Sequence, residues 1–422
     1  MILRGVPLIP GHARGRLTTR MEGDLAGRIL LLDQRDIPSL LKHADKPPAG
    51  LIVRNAARFG HILIRLFALG IPTLLLEGDQ AASLVPGGWF ELDGEQGLLG
   101  DESLPVPPAK PKGGQHAWRM ADGEPIELMA SVSDARGAAE ALRRGATAIG
   151  LVRSEYLHPE PPAVPDAAFY IKALGEVLEA AHPLPVTVRM FDYGPDKPIP
   201  WWPEAPIAPL GWQGSRLYGL ETISSVLDAE LAALEDMGGD GRLSLLVPYL
   251  THPWEFEAIR ARLQRWPRLA RLPLGAMVET PAAAFALPEW RAKADFVGIG
   301  CNDLMQAFHA TDRNRPELDR WLDPYAPAWL RFLTRLAEEG RGLGLPLRIC
   351  GQLPGVPGFF PLLLGMGFRA FSVEPVMIPT LGHIARTMDA SVAHDLLGQA
   401  CRASTSAEVR TLLGLSPDRP GR

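Results

Sequence analysis

The chain has 422 residues, of which 46% are hydrophobic and 22% charged, and a formal net charge of −5. That length and balance predict a soluble globular chain of two domains and exclude the basic surface of a nucleic-acid binder. Three cysteines exclude a disulfide framework and point to the reducing cytoplasm. The first residues carry no apolar signal segment. No apolar stretch approaches the ~20 residues of a membrane span, so no membrane role is expected.

In chain order, the front of the sequence holds short apolar runs set between Gly and Pro: RILLLD, GLIVRN, PTLLLEG and GWFELDG. They predict strands of a compact unit over residues 1–103. Residues 104–117, LPVPPAKPKGGQHA, have no apolar period and predict a linker. From residue 118 to 422 the pattern alternates strand and helix. Strands are expected at Ile126–Ala130, Ala148–Val152, Val186–Met190, Ser244–Val247, Leu274–Val278, Asp295–Ile299, Leu347–Cys350 and Ala370–Val373. Helices are expected between them, as at Asp134–Arg144, Ser224–Asp236 and Pro327–Glu339. Eight such units predict an α/β chain with a C-terminal (β/α)8 TIM barrel; a doubly wound open sheet is the alternative.

Barrel chemistry collects where strands end. Those ends deliver Arg153, then Arg189 with Asp192 and Lys197, then Pro248, Glu279, Asn302 with Asp303 and Arg313, and Cys350. Taken singly, each has an ordinary structural explanation: an ion-paired arginine, a core cysteine, a helix cap. Together they describe an anion site. Arginines grip oxyanions in a fork, and two carboxylates on neighbouring strands suit a hard cation such as Mg2+. A cysteine beside them can move a proton.

These same stretches carry a family resemblance. GLVRSEYL, VTVRMFDYGPDKPIP, LGWQGSRL, LLVPYLTHPWE, GAMVETPAAA, DFVGIGCNDLMQAFHATDRN, RICGQLPG and PLLLGMGFRAFSVEPVMIP resemble, in order, the barrel motifs of the phosphoenolpyruvate-utilising enzymes. That family includes Enzyme I of the sugar phosphotransferase system, pyruvate phosphate dikinase and phosphoenolpyruvate synthase. The resemblance implies that Arg153 and Arg189 hold the phosphate, with Arg216, Arg313 and Asn302 also on the substrate. It implies that Glu279 and Asp303 bind Mg2+, and that Cys350 protonates the enolate to give pyruvate. Four positions depart from the family pattern: Gln213 for an arginine, Gln352 for a glutamate, Cys301 for a threonine and Ser131 for an asparagine.

The front unit resembles the family's swivelling phosphohistidine domain. AARFGHILIRLFALGIP sets Pro72 eleven residues after His61, which is the family's spacing from its phosphorylated histidine. Ala56, Ala57, Phe59, Gly60 and Phe67 depart from the pattern around it, and Arg65 stands near the place of a lost arginine. The interval before His61 is short for the insert that docks Enzyme I's phosphocarrier, and no nucleotide-grasping segment is expected. The function implied is a phosphoenolpyruvate-dependent phosphotransferase. It would phosphorylate His61 and pass the group to a separate acceptor protein or nucleotide-binding partner, as a homodimer joined through the barrel. The alternatives are a non-catalytic phosphoenolpyruvate-binding regulator and a barrel that makes or breaks C–C bonds of pyruvate-like acids.

Overall fold

The computed structural model describes residues 2–21, 23–42, 47–76, 78–101, 104, 117–194, 197, 199, 201–202, 210–238 and 241–417. Most of the expected linker thus lies outside the described residues. The chain forms two compact units. The first comprises Met1–Pro111, Thr311–Pro327 and Arg402–Arg422, and the second Lys112–Ala310 and Ala328–Cys401. The chain therefore leaves the second unit at Ala310 and returns at Ala328. Ala310, at φ +51°, is a left-handed C-cap that stops the helix Cys301–His309 and redirects the chain.

The first unit is built on an eight-stranded sheet: β1 Ile2–Arg4, β2 Val6–Ile9, β3 His12–Thr18, β4 Arg28–Asp33, β5 Gly50–Arg54, β6 Thr73–Leu76, β7 Trp89–Asp93 and β8 Leu98–Gly100. Its order is β1-β8-β7-β3-β4-β5-β6-β2. The β3-β4-β5-β6 core is parallel, and the flanking pairs are antiparallel. The four apolar runs form β4 to β7, and ELDGEQGLLG closes as the β7–β8 hairpin. The hairpin turns where the Asp93 carboxylate accepts the amides of Glu95 and Gln96 at 2.8 and 2.9 Å.

The second unit is a closed barrel of parallel strands: β9 Glu127–Val132, β10 Ile149–Arg153, β11 Val186–Arg189, β12 Leu243–Leu250, β13 Leu274–Val278, β14 Phe296–Gly300, β15 Leu347–Cys350 and β16 Ala370–Val373. β16 pairs with β9 to close it, Ala370 opposite Glu127. Helices follow the strands, which makes this a (β/α)8 barrel. Its strands are apolar on both faces because one face fills the interior and the other meets helices. Leu151, Leu246, Met277, Phe296 and Cys350 share one interior cluster. Helix starts are fixed locally: the Asp134 and Asp166 carboxylates accept the amides of Gly137 and Phe169 at 2.7 and 2.8 Å. No described helix is long and apolar enough to cross a membrane.

Candidate active site

The barrel's strand ends converge on one charged rim, built pair by pair. Arg153 ends β10 and donates to Glu374, the residue after β16, at 2.8 Å. Arg189 ends β11 and donates to Glu155 and, at 2.9 Å, to Asp192. Lys197 closes this cluster, 2.5 Å from Asp192 and 3.2 Å from Glu155. All these side chains are nearly buried. Two cations, Arg189 and Lys197, share two anions, Glu155 and Asp192, so the Arg189 guanidinium is held in a set direction with its charge locally balanced.

Glu279 follows β13 and is 3% exposed. Its Oε2 accepts the amide of Tyr249 at 2.8 Å. The helix cap that its motif could have supplied is made by Thr280, whose hydroxyl accepts the Ala283 amide at 3.2 Å, which leaves Glu279 directed to the rim. Burial raises the proton affinity of Glu279, and the charges of Asp303 and Asp192 raise it further, with Arg189 opposing. Two hard oxygen donors that repel one another suit a divalent cation, which would relieve both. Among the described residues, no group of three or more possible metal ligands occurs.

Gly300 makes room for this carboxylate: a Cβ there would lie 2.4 Å from Glu279 Cγ and 2.5 Å from Oε1. Gly300→Ala is expected to displace Glu279 and cost about 1–3 kcal/mol of stability. Denaturant unfolding checks this, and a variant as stable as the parent would refute the packing.

Cys350 ends β15, buried among apolar side chains. Burial pushes its thiol up to about 12; Glu279 adds to the rise, while Arg348, Arg189 and Arg153 oppose it. At neutral pH the group is therefore a protonated thiol within the electrostatic reach of both arginines and Glu279. Asn302 donates to Gln352 Oε1 at 3.5 Å and accepts the Gln352 amide at 3.1 Å, so it packs on the turn that follows Cys350. Arg216 lies in the turn Gly214–Gly219, donates to the Thr251 hydroxyl at 2.6 Å and covers the Tyr249 ring at 5.4 Å. Gly214, at φ +49°, presses against Asp192 and Tyr249, where a side chain would not fit. Ser131 pairs with Ser372 at 2.9 Å across neighbouring strands.

The structure thus gathers Arg153, Arg189, Arg216, Glu279, Asn302, Asp303 and Cys350 in the second unit. His61 and Arg313 belong to the first. His61 opens the helix His61–Phe67 and is 6% exposed; its amide donates to the Asn314 side chain at 3.0 Å. Arg313 donates to the Phe59 carbonyl at 3.1 Å. In its own unit, then, Arg313 braces the turn before His61, a contact that no motif spacing showed. The acidic partners Glu155 and Glu374 also had no assigned role in the sequence. Their signal was position: a carboxylate one or two residues beyond a strand that faces an arginine-rich rim.

The closed parallel barrel thus carries buried arginines, carboxylates and a buried thiol at its strand ends. The pattern of the family described as PEP-utilising enzyme, PEP-binding domain, matches residues 111–390, and the chain belongs to this family. It is 28% identical over 418 residues to a Salmonella typhimurium protein named for the phosphoenolpyruvate-dependent phosphotransferase system, covering 93% of this chain and 56% of that one. It is 30% identical over 386 residues to a phosphoenolpyruvate-protein phosphotransferase of Haloferax volcanii, covering 87% and 68%. It is 31% identical over 360 residues to a protein of the same name from Cupriavidus necator, covering 78% and 61%. The chain spans about half the length of several of the curated relatives it matches.

Proposed function

We propose that the protein transfers the phosphoryl group of phosphoenolpyruvate to His61, releases pyruvate, and passes the group to a separate acceptor. The observation that carries this reading is the Arg153–Arg189 pair, buried and directed by carboxylates, beside a thiol that keeps its proton. In this reading the two guanidinium groups hold the phosphate, and Arg216 and Asn302 orient the rest of the substrate. Glu279 and Asp303 would hold Mg2+, which supplies charge neutralisation for the phosphate and carboxylate. The bridging P–O bond breaks as a neutral imidazole nitrogen of His61 takes the phosphorus. The electron pair left on the enolate draws the Cys350 proton to C3 and gives pyruvate; the thiolate regains its proton from solvent. Fixed cations around a buried site stabilise the charge spread over the transferring group. The names of the relatives support a protein acceptor. A homodimer joined through the barrel belongs to the same reading and is tested by sedimentation.

Incubation with 32P-labelled phosphoenolpyruvate and Mg2+ is expected to give an acid-labile phosphoprotein and one pyruvate per label. His61→Ala is expected to lose the label entirely and to bind phosphoenolpyruvate within about twofold of the parent, since the binding groups lie elsewhere. Metal-dependent binding with neither label nor pyruvate would instead make the protein a sensor of phosphoenolpyruvate.

A further inference from the structure

Glu230 is a fully buried carboxyl that the steps above do not use. It lies on the helix Glu221–Met237, within the stripe Ile223, Val226, Leu227, Leu231 and Leu234 that packs inward. We propose that Glu230 is a positioning residue for the phosphate site, holding from behind the barrel the two strand ends that present Arg153 and Arg189. The proposal rests on the reading of those arginines as phosphate ligands.

The geometry is direct. Glu230 Oε2 accepts the amide of Phe191, two residues beyond Arg189, at 2.9 Å. The carbonyl of the same residue accepts the Tyr218 hydroxyl at 2.8 Å. Phe191 is therefore held on both polar groups by side chains from the segment 214–237. The neighbouring strand end joins through Ser154, the residue after Arg153. Its hydroxyl donates to the Arg189 carbonyl at 3.0 Å and also lies beside the Glu230 carboxyl. One carboxyl thus stands behind the turns that carry both arginines.

Its environment favours the neutral form. Burial pushes Glu230 up to about 7, and Glu155 adds to this, while the Ser154 hydroxyl and the Phe191 amide oppose it. The titratable groups that face it are Tyr170 from the helix Ala167–Ala180, Tyr218 from the Gly214–Gly219 turn and Glu155 from the turn after β10. Glu155 is itself paired with Arg189 and Lys197. As pH rises through neutrality, Glu230 becomes an anion in an apolar layer beside Glu155. The Ser154 proton is then drawn from the Arg189 carbonyl towards the carboxylate, and the tie between the two turns weakens.

The test compares the parent with Glu230→Gln and Glu230→Ala by pyruvate formation from pH 5.5 to 8.5 and by hydrogen exchange at the Phe191 amide. Glutamine keeps the acceptor for that amide and cannot ionise. The expected result is that Glu230→Ala raises KM about tenfold with kcat changed less than about twofold. It should also speed Phe191 exchange about tenfold. Glu230→Gln should keep KM within about twofold below pH 6. The ratio of parent to glutamine-variant KM cancels the substrate's own ionisation; it should rise as pH passes about 7. A flat ratio together with unchanged Phe191 exchange in the alanine variant overturns the proposal. If the alanine variant does not fold, a flat ratio alone overturns it. A parent protein that binds no phosphoenolpyruvate sinks the site reading instead; Phe191 exchange then decides whether Glu230 holds the turns.

Discussion

Replacing Cys350 with alanine is expected to slow pyruvate formation by about two to four orders of magnitude, the usual contribution of a positioned general acid. The thiol is pushed up to about 12 by burial, so at neutral pH essentially every molecule carries the proton. An acid that weak suits an enolate carbon, which becomes strongly basic only once the phosphoryl group departs. Phosphoenolpyruvate affinity should change less than about threefold, because in the proposed site arginines and a metal, not Cys350, would meet the substrate charge. The alternative is that Cys350 only fills space beside Leu151, Leu246 and Met277. Alanine would then cost about 1 kcal/mol of stability for the lost sulfur and leave turnover intact. Stereochemistry separates the two cases further. The parent should deliver solvent-derived hydrogen to one face of C3, whereas enolpyruvate released from the variant should take it on both faces. Full turnover with one-sided delivery in the alanine variant would remove Cys350 from the reaction.

Arg189→Met should have the second large effect, and on two observables. The Arg189 guanidinium neutralises Glu155 and Asp192 in a nearly dry cluster, with Lys197 as the other cation. Methionine keeps much of the volume and leaves two buried carboxylates to one ammonium group. Breaking a buried pair in this way costs about 3–5 kcal/mol of stability. In the proposed site Arg189 is also a forked donor to the phosphate, and its loss should weaken phosphoenolpyruvate binding by two orders of magnitude or more. Arg189→Lys should recover much of the stability and little of the affinity, because an ammonium group restores charge without the fork. Denaturant titration and calorimetry read the two effects separately. A methionine variant that unfolds like the parent and binds like it would contradict both roles.

The barrel was largely legible because parallel strands covered on both faces leave continuous apolar runs. Leu274–Val278, Leu347–Cys350 and Ala370–Val373 are found as expected. β12 was the informative difference. Pro248 was read as the end of a strand at Val247, whereas β12 continues to Leu250. The ladder shifts register between Val247 and Leu250, with Tyr249 at φ +47°. An irregularity of this kind accommodates a residue without an N–H and turns the Tyr249 amide out of the ladder towards Glu279. In this way a local defect in strand pairing supplies a hydrogen-bond donor to Glu279.

The rim residues could be named from strand ends, but their partners could not. Arg153 and Glu374 are 221 positions apart, and only closure of β16 onto β9 sets β10 near the end of β16. Glu230 did leave a trace: one acidic residue interrupts an otherwise apolar helical stripe. Periodicity alone cannot tell such a residue from a tolerated exception, because its meaning depends on the Phe191 amide it meets. The departures at Gln213 and Gln352 separate in the structure. Gln352 is engaged by Asn302, whereas Gln213 is buried with its Oε1 unpartnered among the described residues.

The excursion of the chain between Ala310 and Ala328 has a consequence for dissection and for exchange of parts between relatives. The first unit is discontinuous in sequence: Thr311–Pro327 and Arg402–Arg422 group with its sheet-bearing portion, Met1–Pro111. A piece cut at the linker would carry His61 without Asn314 on its amide, and the Phe59 carbonyl without Arg313. Grafting the front residues alone onto another barrel would import that barrel's version of the brace. The histidine segment and the stretch after the sixth barrel strand therefore have to be transplanted together, as a matched pair.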